Sequence, residues 1–120
     1  MSDTYKELER YCKSYREELE RLYNADYTDE EQERLEEEGE VYDLYSYFND
    51  ALDIEYTISA RGDFLGCRIA VALGGPNIYI DTRAGEIRGA WGTDRVSVWL
   101  PSEICNEIDA IFEDLYNCTK

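Results

Sequence analysis

The sequence contains no histidine, and this absence removes the commonest route to catalysis. Histidine is the usual general base near neutral pH and the commonest metal ligand, so no Ser or Cys here has its ordinary activating partner. Paired carboxylates could still hydrolyse a glycoside, but residues 64–100 hold only three acids, Asp81, Glu86 and Asp94. No glycine-rich loop sits between a strand and a helix, as a phosphate site requires. We therefore expect no enzyme activity, no catalytic residue, no cofactor and no metal site.

Closely spaced cysteines and long apolar runs are also missing. The four cysteines, Cys12, Cys67, Cys105 and Cys118, form no CxxC pair, which favours scattered thiols over a zinc site or a disulfide scaffold. Residues 1–25 are charged throughout, and no apolar run is long enough to cross a bilayer. These features predict a soluble cytoplasmic protein. A length of 120 residues, 43% of them hydrophobic, predicts one domain over 1–120.

Basic residues are scarce, and the acidic excess is concentrated in one segment. The chain has 28 Asp and Glu against 12 Lys and Arg, a formal net charge of -16. Residues 26–63 contain 14 acids and two bases, a net charge of -12, whereas residues 64–100 carry a net charge of +1. Lys and Arg supply most of the affinity for phosphates, so direct binding to nucleic acid or an anionic membrane is not expected. A basic protein is the natural partner.

Helical periodicity covers the first 50 residues. An apolar stripe at spacings of three and four predicts an amphipathic first helix, with Thr4 and Glu7 as its capping box: Tyr5, Leu8, Cys12, Tyr15, Leu19 and Leu22. Thr28 and Glu31 predict the start of a second helix. Gly39 either ends that helix or weakens it, and the apolar positions from Val41 to Phe48 extend the helical pattern to about Asn49.

Alternation with period two begins at Leu52 and predicts strands over 51–100. The residues expected on the inner face are Leu52, Ile54, Tyr56, Ile58, Leu65, Cys67, Ile69, Val71, Leu73, Ile78, Ile80, Ile87, Val96, Val98 and Leu100. Short turns between these strands predict antiparallel neighbours. Pro101 and Ser102 then start a C-terminal helix over 101–119, with an apolar stripe from Ile104 to Leu115 and its acids in solvent. We expect an α+β fold: N-terminal helices, a four- to five-stranded antiparallel meander and a C-terminal helix, with the helices on one face of the sheet.

The acidic segment is the first candidate for a binding surface. Nine carboxylates lie between Asp29 and Asp43, and those expected to contact a partner are Asp29, Glu30, Glu33, Glu36, Glu37, Glu40 and Asp43. If these 15 residues are helical they span roughly 22 Å. That gives one charge per roughly 2.5 Å, comparable with about 1.7 Å in duplex DNA. The alternative is a solvated face that serves only solubility.

The outer face of the sheet is the second candidate. Strict alternation turns Arg68, Tyr79, Arg88 and Trp99 away from the core, together with Ala70 and Ala72. Large aromatics beside arginines are typical of protein-binding patches. The alternative is that a loop or helix covers Trp99.

Acidic residues are concentrated from Asp26 to Asp43 and, more weakly, from Glu103 to Asp114. In this charge pattern the chain resembles the nucleic-acid-mimicking inhibitors of phages and mobile elements, the anti-CRISPR and anti-restriction proteins. The likeness lies in charge pattern alone, because those proteins share no common motif. It implies an inhibitor, monomeric or homodimeric, whose acids occupy the basic groove of a nuclease or guide-RNA effector complex. Two other hypotheses stay open: an adaptor that uses the sheet face, and an antitoxin or immunity-type protein that shields a basic toxin.

Overall fold

The first helix shows how the sequence pattern becomes a packed layer. In a computed structural model that describes residues 3–41 and 43–118, α1 runs from Asp3 to Tyr23. Leu8, Cys12, Leu19 and Leu22 are buried, as the stripe predicted, and pack beneath the sheet. The helix begins before Thr4, so the predicted capping box at Thr4 and Glu7 is wrong. Residues 1 and 2 lie outside the described residues.

The sheet is a five-stranded antiparallel meander, as predicted. Its strands follow chain order, β1-β2-β3-β4-β5: β1 Asp53–Ile58, β2 Phe64–Ala72, β3 Asn77–Asp81, β4 Glu86–Trp91 and β5 Asp94–Trp99. Two helices pack against one face of the sheet, α1 beneath β4 and β5 and the last helix beneath β2. Buried isoleucines, leucines and valines from the sheet meet the apolar stripes of these helices in one hydrophobic cluster. The α+β fold expected from the sequence is confirmed.

Close packing between α1 and β4 depends on a glycine. A Cβ atom added to Gly89 would lie 2.7 Å from Leu8 Cδ1 and 2.8 Å from Cys12 Sγ. At separations below 3.0 Å something must shift, so a larger residue would force the buried side chains of Leu8 and Cys12 to repack. The absence of a side chain at Gly89 therefore allows α1 to pack closely on β4.

Two irregularities in β2 correct the predicted inner face. Thr57 pairs with Gly66 and Ile58 with Phe64, so Leu65 is an extra residue and is exposed while Phe64 packs on the core. A second shift, between Ala70 and Ala72, turns Ala72 inward opposite Ile78, although alternation placed it outside. Leu52 and Leu73 lie just beyond the ends of β1 and β2 and are exposed, contrary to prediction.

The last helix, α4, runs from Ser102 to Cys118 and carries a buried polar contact that the charge pattern did not predict. Its predicted end at 119 lies outside the described residues. Pro101 precedes the helix, and its carbonyl accepts hydrogen bonds from the first turn. Leu115, expected in the apolar stripe, is exposed. Asp109, expected in solvent, is half-buried instead and accepts a 2.6 Å hydrogen bond from the hydroxyl of Thr82.

The segment between α1 and the sheet contains two separate helices. The helix α2 runs from Asp29 to Glu38, and α3 from Leu44 to Tyr47, followed by a 3-10 turn over Phe48–Asp50. The 15 residues from Asp29 to Asp43 therefore do not form one continuous helix, a condition that the sequence had left open. Among the helices that the structure describes, none is long and apolar enough to cross a membrane.

Candidate partner-binding surfaces

The two ends of α2 are fixed by local hydrogen bonds. Thr28 Oγ1 accepts a 3.2 Å hydrogen bond from the N–H of Glu31, as the sequence predicted for this N-cap. Gly39 adopts the left-handed conformation, with φ of 72°, and its N–H donates to the carbonyl of Glu36. The N–H of Glu40 donates to the carbonyl of Leu35, which completes a Schellman motif. Of the two roles left open for Gly39, the structure shows that it ends the helix.

The surface of α2 is almost entirely solvated carboxylate. All of its side chains are exposed except that of Leu35, which is half-buried. Seven of its ten residues are acidic and Arg34 is its only base. Ten helical residues span about 15 Å, so α2 carries one carboxylate per about 2 Å. This linear charge density is closer to that of duplex DNA than the value of one charge per roughly 2.5 Å for a 15-residue helix.

The predicted acidic residues are divided between α2 and the loop that follows it. Asp29, Glu30, Glu33, Glu36 and Glu37 lie on the helix, whereas Glu40 lies just beyond its last turn. Asp43 is the N-cap of α3, where its Oδ1 accepts a 2.8 Å hydrogen bond from the N–H of Ser46. Because its carboxylate is already bound within the chain, Asp43 is less available to a partner than the α2 acids.

Several carboxylates of α1 are instead paired with nearby bases. Arg21 contacts Glu18 with a shortest N–O distance of 2.6 Å, and three further ion pairs lie within α1. This contact lowers the pKa of Glu18. In α2, acids such as Glu33 and Glu37 instead stand four residues apart, where like charges cost a few tenths of a kcal/mol. The chain thus combines charge compensation on α1 with a concentrated negative charge on α2.

An acidic depression bordered by aromatic rings lies beside α3. Its lining includes Tyr23 at the end of α1, Asp43 and Tyr45 at α3, and Glu107 on α4. Tyr45 is 56% exposed and also borders a second depression, lined by Glu36 and Glu40 among others. The sequence did not predict this site, because nothing in the local pattern brings Glu107 to residues more than 60 positions earlier. The high tyrosine count, 11 in 120 residues, is the one signal that pointed toward it.

None of the helices that the structure describes packs on the outer face of the sheet. Register places Arg68, Asp81, Glu86 and Trp99 in one row across the strands. Ala70, Tyr79, Arg88 and Ser97 form the next row. The four predicted residues therefore share one face, and Trp99 is 68% exposed, so the alternative of a loop or helix covering it is wrong.

The arginines on this face are already engaged. The guanidinium of Arg68 lies 3.8 Å from the ring centroid of Tyr79, a cation–π contact. Arg88 Nε donates to Glu86 at 2.9 Å, and its Nη1 lies 3.7 Å from Asp81. Trp99, at 68% exposed, is the predicted member of this face with the large apolar side chain in solvent.

The thiols are suited to packing rather than chemistry. Burial raises the pKa of Cys12 and Cys105 to about 11 and that of Cys67 to about 12. Cys118 is exposed. Within residues 3–41 and 43–118, no three His, Cys, Asp or Glu side chains are grouped so as to hold a metal ion.

Comparisons with known proteins give no independent indication of function. Neither the known protein families, nor the curated proteins, nor the solved structures contain a match to this chain. Its function has to be argued from its own surfaces.

Proposed function

We propose that this protein is a non-enzymatic inhibitor that binds the nucleic-acid site of a basic partner, of the anti-CRISPR or anti-restriction type. The observation that carries the proposal is the solvated, capped helix α2, in which seven of ten residues are acidic and none is buried. A core helix needs a buried face, and this one has none. Its composition therefore serves something other than packing.

The proposed mechanism is electrostatic competition. A nuclease or guide-RNA complex lines its groove with Lys and Arg that interact with phosphates spaced a few Å apart. α2 presents charges at nearly the same linear density on a rod with capped ends, so it can occupy such a groove. DNA or RNA is then excluded because the same cations cannot neutralise both polyanions.

The acidic depression beside α3 extends this surface. Glu107 lines this depression together with the exposed ring of Tyr45, and Glu40 lines the second depression that Tyr45 borders. A carboxylate next to an aromatic ring suits an arginine, whose guanidinium can pair with the acid while its plane stacks on the ring. In this proposal α2 provides the long-range attraction and the depression accepts one arginine from the rim of the groove.

The test is a charge reversal with a matched control. One variant carries Lys in place of Glu33, Glu36, Glu37 and Glu40; the control carries Lys in place of the exposed acids Glu17, Glu55, Glu103 and Asp114. Both have a net charge of -8, so they differ only in where the charge is lost. Lys at 33 and 37 keeps like charges four residues apart, which limits the change in helix stability.

The assay measures displacement of a fluorescent DNA duplex from purified restriction enzymes and RNA-guided nucleases. We expect the wild type and the control to displace the duplex from the target enzyme, the α2 variant to fail, and wild-type affinity to fall on the order of tenfold or more between 0.05 and 0.5 M salt. Equal loss of activity in both variants would mean that net charge alone acts and that α2 is not the binding surface.

A further inference from the structure

The strand β5 leaves one edge of the sheet open. It pairs with β4 alone, and the N–H of Leu100 donates to the carbonyl of Gly85 in line with that pairing. Backbone groups alternate in direction along an antiparallel strand. Val96 and Val98 therefore direct their N–H and C=O groups toward β4, and Arg95, Ser97 and Trp99 direct theirs toward the free edge.

The side chains of the edge-facing residues all lie on the uncovered face of the sheet. Arg95, Ser97 and Trp99 are exposed, whereas Val96 and Val98 are buried on the opposite face. Trp99 is the most exposed large apolar side chain that the structure describes. An edge strand with free backbone groups and an exposed tryptophan is a template for another strand.

We propose that β5 pairs with β5 of a second copy of this chain, antiparallel, around a two-fold axis that passes beside Ser97. In this register Ser97 lies opposite Ser97 of the second copy, and Arg95 lies opposite Trp99. The three edge-facing residues of each chain then exchange backbone hydrogen bonds, and the two meanders become one ten-stranded sheet with all helices on the same side.

Side-chain chemistry selects this register. Opposed residues share a face, so each Arg95 guanidinium comes next to the indole of Trp99 from the other copy, a cation–π pair formed twice by symmetry. Arg95 now donates to the backbone carbonyls of Gly92 and Asp94, so rotation of its side chain would bring it over the facing ring. An axis at Arg95 would place two arginines directly opposite each other, which is unfavourable.

The charge distribution also favours this edge. Two chains of net charge -16 repel each other, but residues 64–100, which form β2 to β5, carry a net charge of +1. α1, which lies beneath β4 and β5, pairs its acids with its own bases. The β5 edge is therefore where two copies can approach with the least repulsion. Added salt should strengthen this dimer, whereas it weakens binding to a basic partner.

The experiment combines equilibrium sedimentation with a register-specific crosslink. The crosslinking variants are made in a Cys118→Ser background, because the other three thiols are buried. In the proposed register the Cα atoms of the two Ser97 residues are about 5.5 Å apart, which is within disulfide reach. The two Arg95 residues are separated by about 14 Å along the strands, four residues at about 3.4 Å each, which is beyond it.

We expect Ser97→Cys to form a disulfide-linked dimer under mild oxidation. The yield of the disulfide-linked dimer should be at least tenfold lower for Arg95→Cys. In sedimentation, Trp99→Ala should weaken the wild-type dimer at least tenfold. Ser97→Pro should abolish dimerisation with the circular dichroism spectrum retained, because the N–H it removes faces the free edge.

A wild-type chain that is monomeric at every protein and salt concentration would overturn the proposal, as would equal crosslinking at both positions. A dimer that survives both Trp99→Ala and Ser97→Pro would show that another surface joins the copies. None of these results depends on the acidic helix, so this proposal can fail while the proposed function stands.

Discussion

Replacing Thr82 by valine should destabilise the fold by more than a single lost hydrogen bond suggests. Thr82 is 7% exposed, and its hydroxyl oxygen accepts a 2.9 Å hydrogen bond from the N–H of Cys67 while donating at 2.6 Å to Asp109. One hydroxyl therefore joins β2, the residue after β3 and α4. Valine fills nearly the same volume but leaves both partners without this contact.

The magnitude follows from the two groups left behind. A buried N–H without a partner costs about 1–3 kcal/mol, and the half-buried Asp109 can recover part of its lost bond from water. We expect a total loss of about 2–4 kcal/mol in the free energy of unfolding. For a chain of this length that corresponds to a fall in Tm of roughly 6–16 °C.

The assay is urea and thermal unfolding followed by circular dichroism, with Thr82→Ser as the control. Serine keeps the hydroxyl and loses one methyl group, so its cost should stay near about 1 kcal/mol. If valine and serine destabilise equally, the two hydrogen bonds contribute nothing beyond packing, and the reasoning is wrong.

Three further predictions concern the same core. Burial raises the pKa of Asp109 above its ordinary value of 3.8. Its contribution to stability is therefore fully present below pH 3.8 and is lost as pH rises through the folded-state pKa. In urea titrations from pH 4 to 7, the free energy of unfolding should fall less with rising pH in Asp109→Asn than in the wild type. Gly89→Ala should cost about 1–3 kcal/mol in the same unfolding assay, because the new methyl group meets Leu8 and Cys12, and an unchanged midpoint would contradict the packing described. A thiol reagent should label one cysteine, Cys118, in the native state and reach the other three only on unfolding, as counted by mass spectrometry: Cys12, Cys67 and Cys105.

The fold could be predicted in the elements whose apolar residues follow a regular helical or strand period. The apolar stripe of α1 and the alternation in β3 and β5 predicted the right core residues, because these three elements are regular. The prediction failed at Leu65 and Ala72, since each lies at one of two irregularities in β2 that change which side chains face inward. No signal in the local sequence marks such a residue, because its position is set by pairing with the neighbouring strand.

The candidate site shows the same division between local and distant information. The Thr28 cap and the acidic exposure of α2 depend on neighbours in sequence and could be predicted. The end of that helix depends on whether Gly39 adopts positive φ, which the sequence permits without requiring. The contacts between Asp109 and Thr82, and between Glu107 and the depression at Tyr45, join positions far apart in the chain. Periodicity carries no information on such pairs.

Because α2 buries no side chain, its sequence is free to diverge. A substitution there changes the charge offered to a partner while the cluster beneath the sheet keeps every contact, provided that the Thr28 and Gly39 caps remain. If α2 binds a partner protein whose sequence changes, these ten residues can therefore change with it at little cost in stability. We expect relatives of this protein to share the buried residues of the sheet and α1, and to differ most in α2.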